Sequence, residues 1–192
     1  VKRIIKKYYE YGMPQWVSGI SLFSGTQESF FCLARHEDYW VLETYKNFAF
    51  IKRIDLPFTN FSDLHVSGNK LIFKASSNNS QKQLMELEID DLSNLSSKNY
   101  FINISVSTSN AETFWFEGYK KKRTHAFIYN SKLFNTKKLP LIVKAHSGPT
   151  NYFNGELNNE VNFWTSRGWL VAEVNYGGSS CFGKDYRDRL NG

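Results

Sequence analysis

The sequence predicts a mixed fold. Residues 1–110 read as all-β, with a repeat that fits incomplete propeller blades, and residues 111–192 as the opening of an α/β domain. Three observations predict this. Strand-like pairs repeat with a period of about 41 residues. A continuous apolar run, Leu139 to Ala145, is followed by helical spacing and then by a second apolar run, Trp169 to Val174. Both runs end in turns of small residues.

The first pair is FFCLAR (Phe30 to Arg35) and WVLETY (Trp40 to Tyr45); the second is LIFKAS (Leu71 to Ser76) and QLMELEID (Gln83 to Asp90). Aromatic and β-branched residues between polar turns are the signature of strands. A repeat of this length with several strands per unit fits propeller blades, and a β-sandwich of similar spacing is the alternative. Ser76 to Ser80 (SSNNS) reads as a hairpin loop, and Leu92 to Asn99 (LSNLSSKN) as a connection between units. TFWFEG and THAFIYN then read as an antiparallel pair around the basic turn Lys120 to Arg123. The run Leu139 to Ala145 is apolar enough for a strand covered on both faces. Leu157, Val161 and Trp164 fall on one helix face, and Gly168 stands where a helix end favours a left-handed residue. Asp185 to Leu190 (DYRDRL) reads as a short helix with local ion pairs.

The turns carry the chemistry. His146-Ser147-Gly148-Pro149 lies directly after a buried strand and before a helix. A tight turn there leaves backbone N–H groups pointing into the crevice at the strand's carboxyl end. Acyl transfer needs such donors, aimed at the oxygen that becomes negative in the tetrahedral intermediate. Gly148 offers an amide with no side chain to block a substrate, and Pro149 fixes the following turn without donating. In α/β-hydrolases one donor comes from this loop and the other from the residue after the serine nucleophile. The second turn, Asn175-Tyr176-Gly177-Gly178-Ser179-Ser180, also follows a strand's carboxyl end, where open α/β sheets place their ligands. Neither G-x-G-x-x-G nor G-x-x-x-x-G-K is present, which argues against a nucleotide cradle. In this fold the catalytic histidine follows the serine and the acid along the chain, so His146 reads as a brace for its loop.

Composition narrows the classes further. The net charge is +6, but the basic residues are scattered, as at Lys6, Lys7, Arg53 and Lys137, and the densest run sits on a hairpin tip. This argues against nucleic acid as a partner. No apolar run approaches the ~18 residues of a membrane span. Cys32 and Cys181 make no disulfide framework, and His36, His65, His125 and His146 are far apart in sequence, so neither a metal nor another cofactor is expected. The chain opens on Val1 with a strand-like segment and no signal-peptide pattern, and its true N-terminus is expected upstream. A cytoplasmic location is the default expectation. Oligomeric state and cleavage preference are not written in these residues.

Four blocks, HSGPTN, FWTSRGW, VNYGGSSCFG and YRDRLNG, occur in order over the last third of the chain. They resemble the start of the catalytic domain in prolyl oligopeptidase-family serine peptidases, within the acylaminoacyl-peptidase or dipeptidyl-peptidase-like branch. GMPQWVSGISLF (Gly12 to Phe23), the stretch at Ala75 and ISVSTSNAETFWF resemble weaker markers of the preceding propeller. The resemblance implies propeller blades over 1–110 and the N-terminal part of an α/β-hydrolase domain over 111–192. It also implies hydrolysis of short peptides through an acyl-enzyme intermediate. It assigns Gly148, with Ser147, to an oxyanion hole. His146, Pro149, Tyr176, Gly177 and Gly178 become supports of the active-site loops. Ser147 and Cys181 stand where the family carries glycine, and Ser147 is expected to be strained if its φ is positive. No G-x-S-x-G occurs in the sequence. The nucleophile, acid and histidine are therefore expected beyond Gly192, and the 192 residues alone are expected to be inactive. An esterase or lipase on the same fold remains an alternative, as does a non-catalytic propeller-based binding protein with a degenerate hydrolase domain.

Overall fold

Strands dominate the chain because its aromatic and β-branched residues alternate with polar ones. The structure, a computed structural model, describes residues 5, 9–14, 16–36, 39–92, 95–98, 109–131, 138–148 and 150–191. The described residues form three sheets. In the first, β1 (Phe23–Gly25), β2 (Ser29–His36), β3 (Tyr39–Lys46) and β4 (Ala49–Asp55) pair in sequence order, every pair antiparallel. The second repeats this meander with β5 (Asn60–Ser67), β6 (Lys70–Ser77), β7 (Ser80–Glu88) and β8 (Leu95–Lys98). A four-stranded antiparallel meander is the unit from which propellers are built, and the two copies account for the repeat seen in the sequence. β8 corrects one expectation, since it lies inside the segment read as a connection. Its residues, Leu-Ser-Ser-Lys, carry no strand signature of their own. They become a strand by pairing with the open edge of β7.

Both meanders feed one core. Phe31, Leu33, Trp40 and Leu42 of the first sheet join Phe61, Leu64, Leu71 and Phe73 of the second in a single cluster of buried side chains. Leu71, Phe73 and Ala75 point inward at every second position of β6, the period of a strand with one buried face. The Trp40 and Phe61 rings, with centroids 5.6 Å apart, join the two sheets.

The third sheet contains β9 (Ser109–Glu117), β10 (Arg123–Ser131), β11 (Leu141–Ala145) and β12 (Leu170–Asn175), in the order β11-β12-β10-β9. β9 and β10 form the predicted hairpin around a 3₁₀ turn, Tyr119–Lys121, whose residues are exposed. β11 and β12 run parallel and are joined by α1 (Asn159–Thr165). Asn158 caps α1 by accepting from the N–H groups of Glu160 and Val161. Gly168 follows at φ +83°, as its position predicts. Leu157 precedes the cap instead of sharing the helix face, and its N–H donates to Ser77 O at 2.7 Å.

β11 carries the apolar run read as a strand covered on both faces. Among the described residues it pairs with β12 alone, Leu141, Val143 and Ala145 are exposed, and Ile142 packs against the buried cluster of the third sheet. Two carboxylates carry the third sheet's loops onto the strands before it. Glu156 accepts from Ser76 Oγ at 2.7 Å and Asn60 Nδ2 at 3.1 Å. Glu10, whose backbone bridges Arg35, accepts from the Gly183 N–H at 3.1 Å and pairs with Arg187 of α2 (Lys184–Arg187). α2 and the 3₁₀ turn Asp188–Leu190 fall where DYRDRL predicts a short helix.

Candidate functional site

β11 and β12 are parallel neighbours, so the loops that follow them emerge side by side at one end of the sheet. Hydrogen bonds between residues far apart in sequence stitch these loops together. The Asn175 amide pairs with the backbone of Phe153, accepting from its N–H at 2.7 Å and donating to its carbonyl at 3.1 Å. Ser180 donates from Oγ to Thr150 O at 2.6 Å, and its N–H donates to Asn151 O at 3.2 Å. Tyr186 of α2 donates its hydroxyl to Asn175 O and accepts from the His125 N–H at 3.1 Å.

His146 sits between the loops and is 8% exposed. Its ring stacks on Tyr176 with centroids 4.2 Å apart. Nε2 lies 2.7 Å from Ser179 Oγ, and Nδ1 lies 3.1 Å from Ser147 O. Tyr176 donates its hydroxyl to the His146 carbonyl at 3.1 Å. Ser147 and Gly148 lie beyond this clamp and are exposed. Neither has a positive φ, so the strain expected at Ser147 under a left-handed turn does not arise. Gly148 is constrained by space instead, because a Cβ there would stand 3.1 Å from the Tyr176 hydroxyl. Pro149 lies outside the described residues. Thr150, at φ +61°, carries a further contact, accepting on Oγ1 from Trp16 Nε1 at 3.0 Å.

The second loop uses its glycines for packing. Gly177 lies under Arg189, and Gly178, at φ +110°, lies under Leu190. The Gly178 N–H donates to Tyr186 O at 2.9 Å. Cys181 adopts φ +75° and is fully buried. Burial pushes its thiol up to about 11, so it stays protonated at neutral pH. A cleft of about 640 Å³ opens beside this loop, between the hairpin tip and α2, and is lined by Tyr119, Lys122, Tyr176, Gly177, Asp188 and Arg189 among others.

The structure thus gathers His146, Ser147, Gly148 and Tyr176 at one place and sets Gly177 and Gly178 behind them under the Asp188–Leu190 turn. Sequence reasoning placed Asn175 and Ser179 in the second turn without assigning their contacts, and gave Tyr186 and Trp16 no role. All four fall in motifs read from the sequence, Asn175 and Ser179 in VNYGGSSCFG, Tyr186 in YRDRLNG and Trp16 in GMPQWVSGISLF, and that membership was the available signal; their long-range partners lie 11 to 134 residues away and leave none.

Burial holds the His146 pKa below the ordinary histidine value, because the imidazolium would lose its hydration. The unfolded chain therefore takes up a proton first as the pH falls. His146 costs no stability above about pH 6.5, and stability is lost as the pH drops from there through the lower folded value. Urea unfolding followed from pH 8 down to 5 is expected to show this decline, and His146→Gln to flatten it. An unchanged slope in the variant would remove His146 as its source.

No protein-family model matches the chain. Over 91 residues it is 28% identical to dipeptidyl-peptidase 5 of Schizosaccharomyces pombe, a match spanning 46% of this chain and 13% of that protein. Among solved structures, a puromycin hydrolase superposes with a TM-score of 0.83 at 24% identity, covering 98% of this chain and 30% of its own. A Mycobacterium tuberculosis puromycin-hydrolyzing peptidase gives 0.82 at 20% identity, covering 97% and 30%. The Pyrococcus horikoshii acylaminoacyl peptidase gives 0.71 at 16% identity, covering 89% and 27%. These neighbours are peptidases of the prolyl oligopeptidase family. At these identities the likeness is one of fold. The chain spans less than a third of the length of each of these structures.

Proposed function

We propose that the chain is part of a serine peptidase that hydrolyses short peptides through an acyl-enzyme intermediate. Residues 1–110 are the last blades of its propeller, and residues 111–192 begin its α/β-hydrolase domain. The observation that carries this reading is the exposed Ser147–Gly148 turn, held over the ends of two parallel strands by the buried His146–Tyr176 clamp. In the mechanism a serine attacks the scissile carbonyl, a histidine takes its proton and returns it to the leaving amine, and an aspartate orients that histidine. The Gly148 N–H donates to the oxyanion together with the N–H after the nucleophile. Ser147 flanks that donor. Pro149 ends the turn, and Tyr176, Gly177 and Gly178 support it from the second loop.

The pair of four-stranded meanders supports a peptidase over a simple esterase or lipase, which has no propeller. No triad member is assigned within residues 1–192, where G-x-S-x-G is absent. The test is the coding sequence past Gly192, where a G-x-S-x-G is expected about 45–60 residues on, flanked by strand and helix patterns. A fluorophosphonate probe is expected to label that serine in the longer protein and to leave the 192-residue chain unlabelled. Labelling of the short chain, or a continuation with no serine at the elbow, would sink this reading and favour a binding protein.

A further inference from the structure

We propose that Ser179 is a positioning residue that acts through His146 on the Gly148 amide. The inference rests on the oxyanion role proposed above for Gly148. Ser179 is fully buried, and its Oγ lies 2.7 Å from His146 Nε2. On the other side of the ring, Nδ1 lies 3.1 Å from the Ser147 carbonyl oxygen. That carbonyl and the Gly148 N–H belong to one peptide unit. The unit is planar and its C=O and N–H bonds point in opposite directions, so holding the oxygen sets the direction of the N–H. The ring cannot turn away from its partners, because Tyr176 stacks on it and anchors the His146 carbonyl.

Proton placement follows from the partners. A carbonyl oxygen only accepts, so Nδ1 carries the proton, and in the neutral ring Nε2 is bare and accepts from the Ser179 hydroxyl. The opposite tautomer would set a bare Nδ1 against the Ser147 oxygen, acceptor against acceptor. Burial favours the neutral ring. By donating to the bare Nε2, Ser179 supports the tautomer whose Nδ1–H holds the Ser147 carbonyl. A carbonyl that accepts a hydrogen bond polarises its amide, and in a series of linked bonds each strengthens the next. The series runs from Ser179 O–H through the imidazole and the Ser147–Gly148 peptide to the developing oxyanion. The Ser179 hydroxyl is also within donating reach of Tyr176 O, at 2.8 Å, but that carbonyl already accepts the Ser179 N–H at 3.0 Å, which leaves the hydroxyl proton for Nε2 of the neutral ring. Protonation of the ring reverses the Ser179–His146 bond, turns the hydroxyl proton to Tyr176 O and ends that support.

The test separates this arrangement from its catalytic purpose. In the ¹⁵N-labelled 192-residue chain above the histidine pKa, His146 is expected as the Nδ1–H tautomer. The Gly148 amide proton resonance is expected to move upfield in Ser179→Ala and in His146→Gln, whose amide reaches the Nε2 position. His146→Asn places an amide nitrogen near Nδ1 and is expected to recover most of that shift. In the longer protein carrying the nucleophile, Ser179→Ala is expected to lower kcat about tenfold with KM unchanged, less than the ~10²–10³ lost when an oxyanion donor is deleted. Adding Ser179→Ala to His146→Asn is expected to cost nothing further, since the Asn donor bypasses the serine. An Nε2–H tautomer in the wild type, or a Gly148 resonance indifferent to Ser179→Ala, overturns the proposal. So does an unchanged kcat in a protein with the expected resonances. Expected resonances in a longer protein that transfers no acyl group would instead remove the oxyanion reading of Gly148, and the positioning role with it.

Discussion

Trp40→Ala is expected to lower the unfolding free energy by about 3–5 kcal/mol, the range for deleting a large buried aromatic side chain. Trp40 is 2% exposed and packs on Phe61 of the neighbouring meander, so the cavity would open between the first two sheets. Its indole N–H is buried with no acceptor among the described residues. Trp40→Phe keeps an aromatic ring against Phe61 and deletes a smaller volume, so its loss is expected to be well under half as large. Urea unfolding measures both variants. Hydrogen exchange adds a spatial check: amides of β2, β3, β5 and β6 are expected to lose protection together in Trp40→Ala, because one cluster serves both sheets. Loss confined to β2 and β3 would show that the two meanders are stabilised independently.

Gly178→Ala is expected to cost about 2–4 kcal/mol, combining strain at a φ reserved for glycine with overpacking. Gly178 has φ +110°, and a Cβ there would stand 2.2 Å from Leu190 Cγ. Leu190 would be driven off the loop, loosening the Asp188–Leu190 turn and the Gly178–Tyr186 hydrogen bond. Gly177→Ala is the control. Its Cβ would meet only Arg189 side-chain atoms, at 3.2 Å and 3.3 Å among the nearest, and its φ is not positive, so a loss below about 1 kcal/mol is expected. Equal losses in the two variants would mean that left-handed backbone at position 178 is not what the second glycine supplies.

Cys181 shows why this backbone argument needs coordinates. It carries a side chain at φ +75°, and its burial beside Tyr152 and Arg35 accompanies that strain. Ser147, suspected of strain, has none. The residue types in these turns point to small side chains and left-handed backbone somewhere in each loop, but φ at a given position depends on how the loop docks.

The sequence by itself determined the strand repeats of the first two sheets, the βαβ order of the third, the hairpin at Lys120–Arg123, the glycine after α1 and the two turns worth attention. Each follows from local physics, because period-2 and period-3.6 burial, glycine at helix ends and small residues in tight turns act within a few residues. Only the tertiary structure decided that β8 is a strand, that β11 joins β12 and β10 in the third sheet, and that Leu157 ties to Ser77 instead of entering α1. It alone joined His146 to Ser179, Asn175 to Phe153, Glu156 to Ser76 and Glu10 to Arg187. Those partners are separated by 22 to 177 residues. A polar side chain takes its partner from whatever the packed sheets bring within hydrogen-bond reach, and no local pattern carries that information.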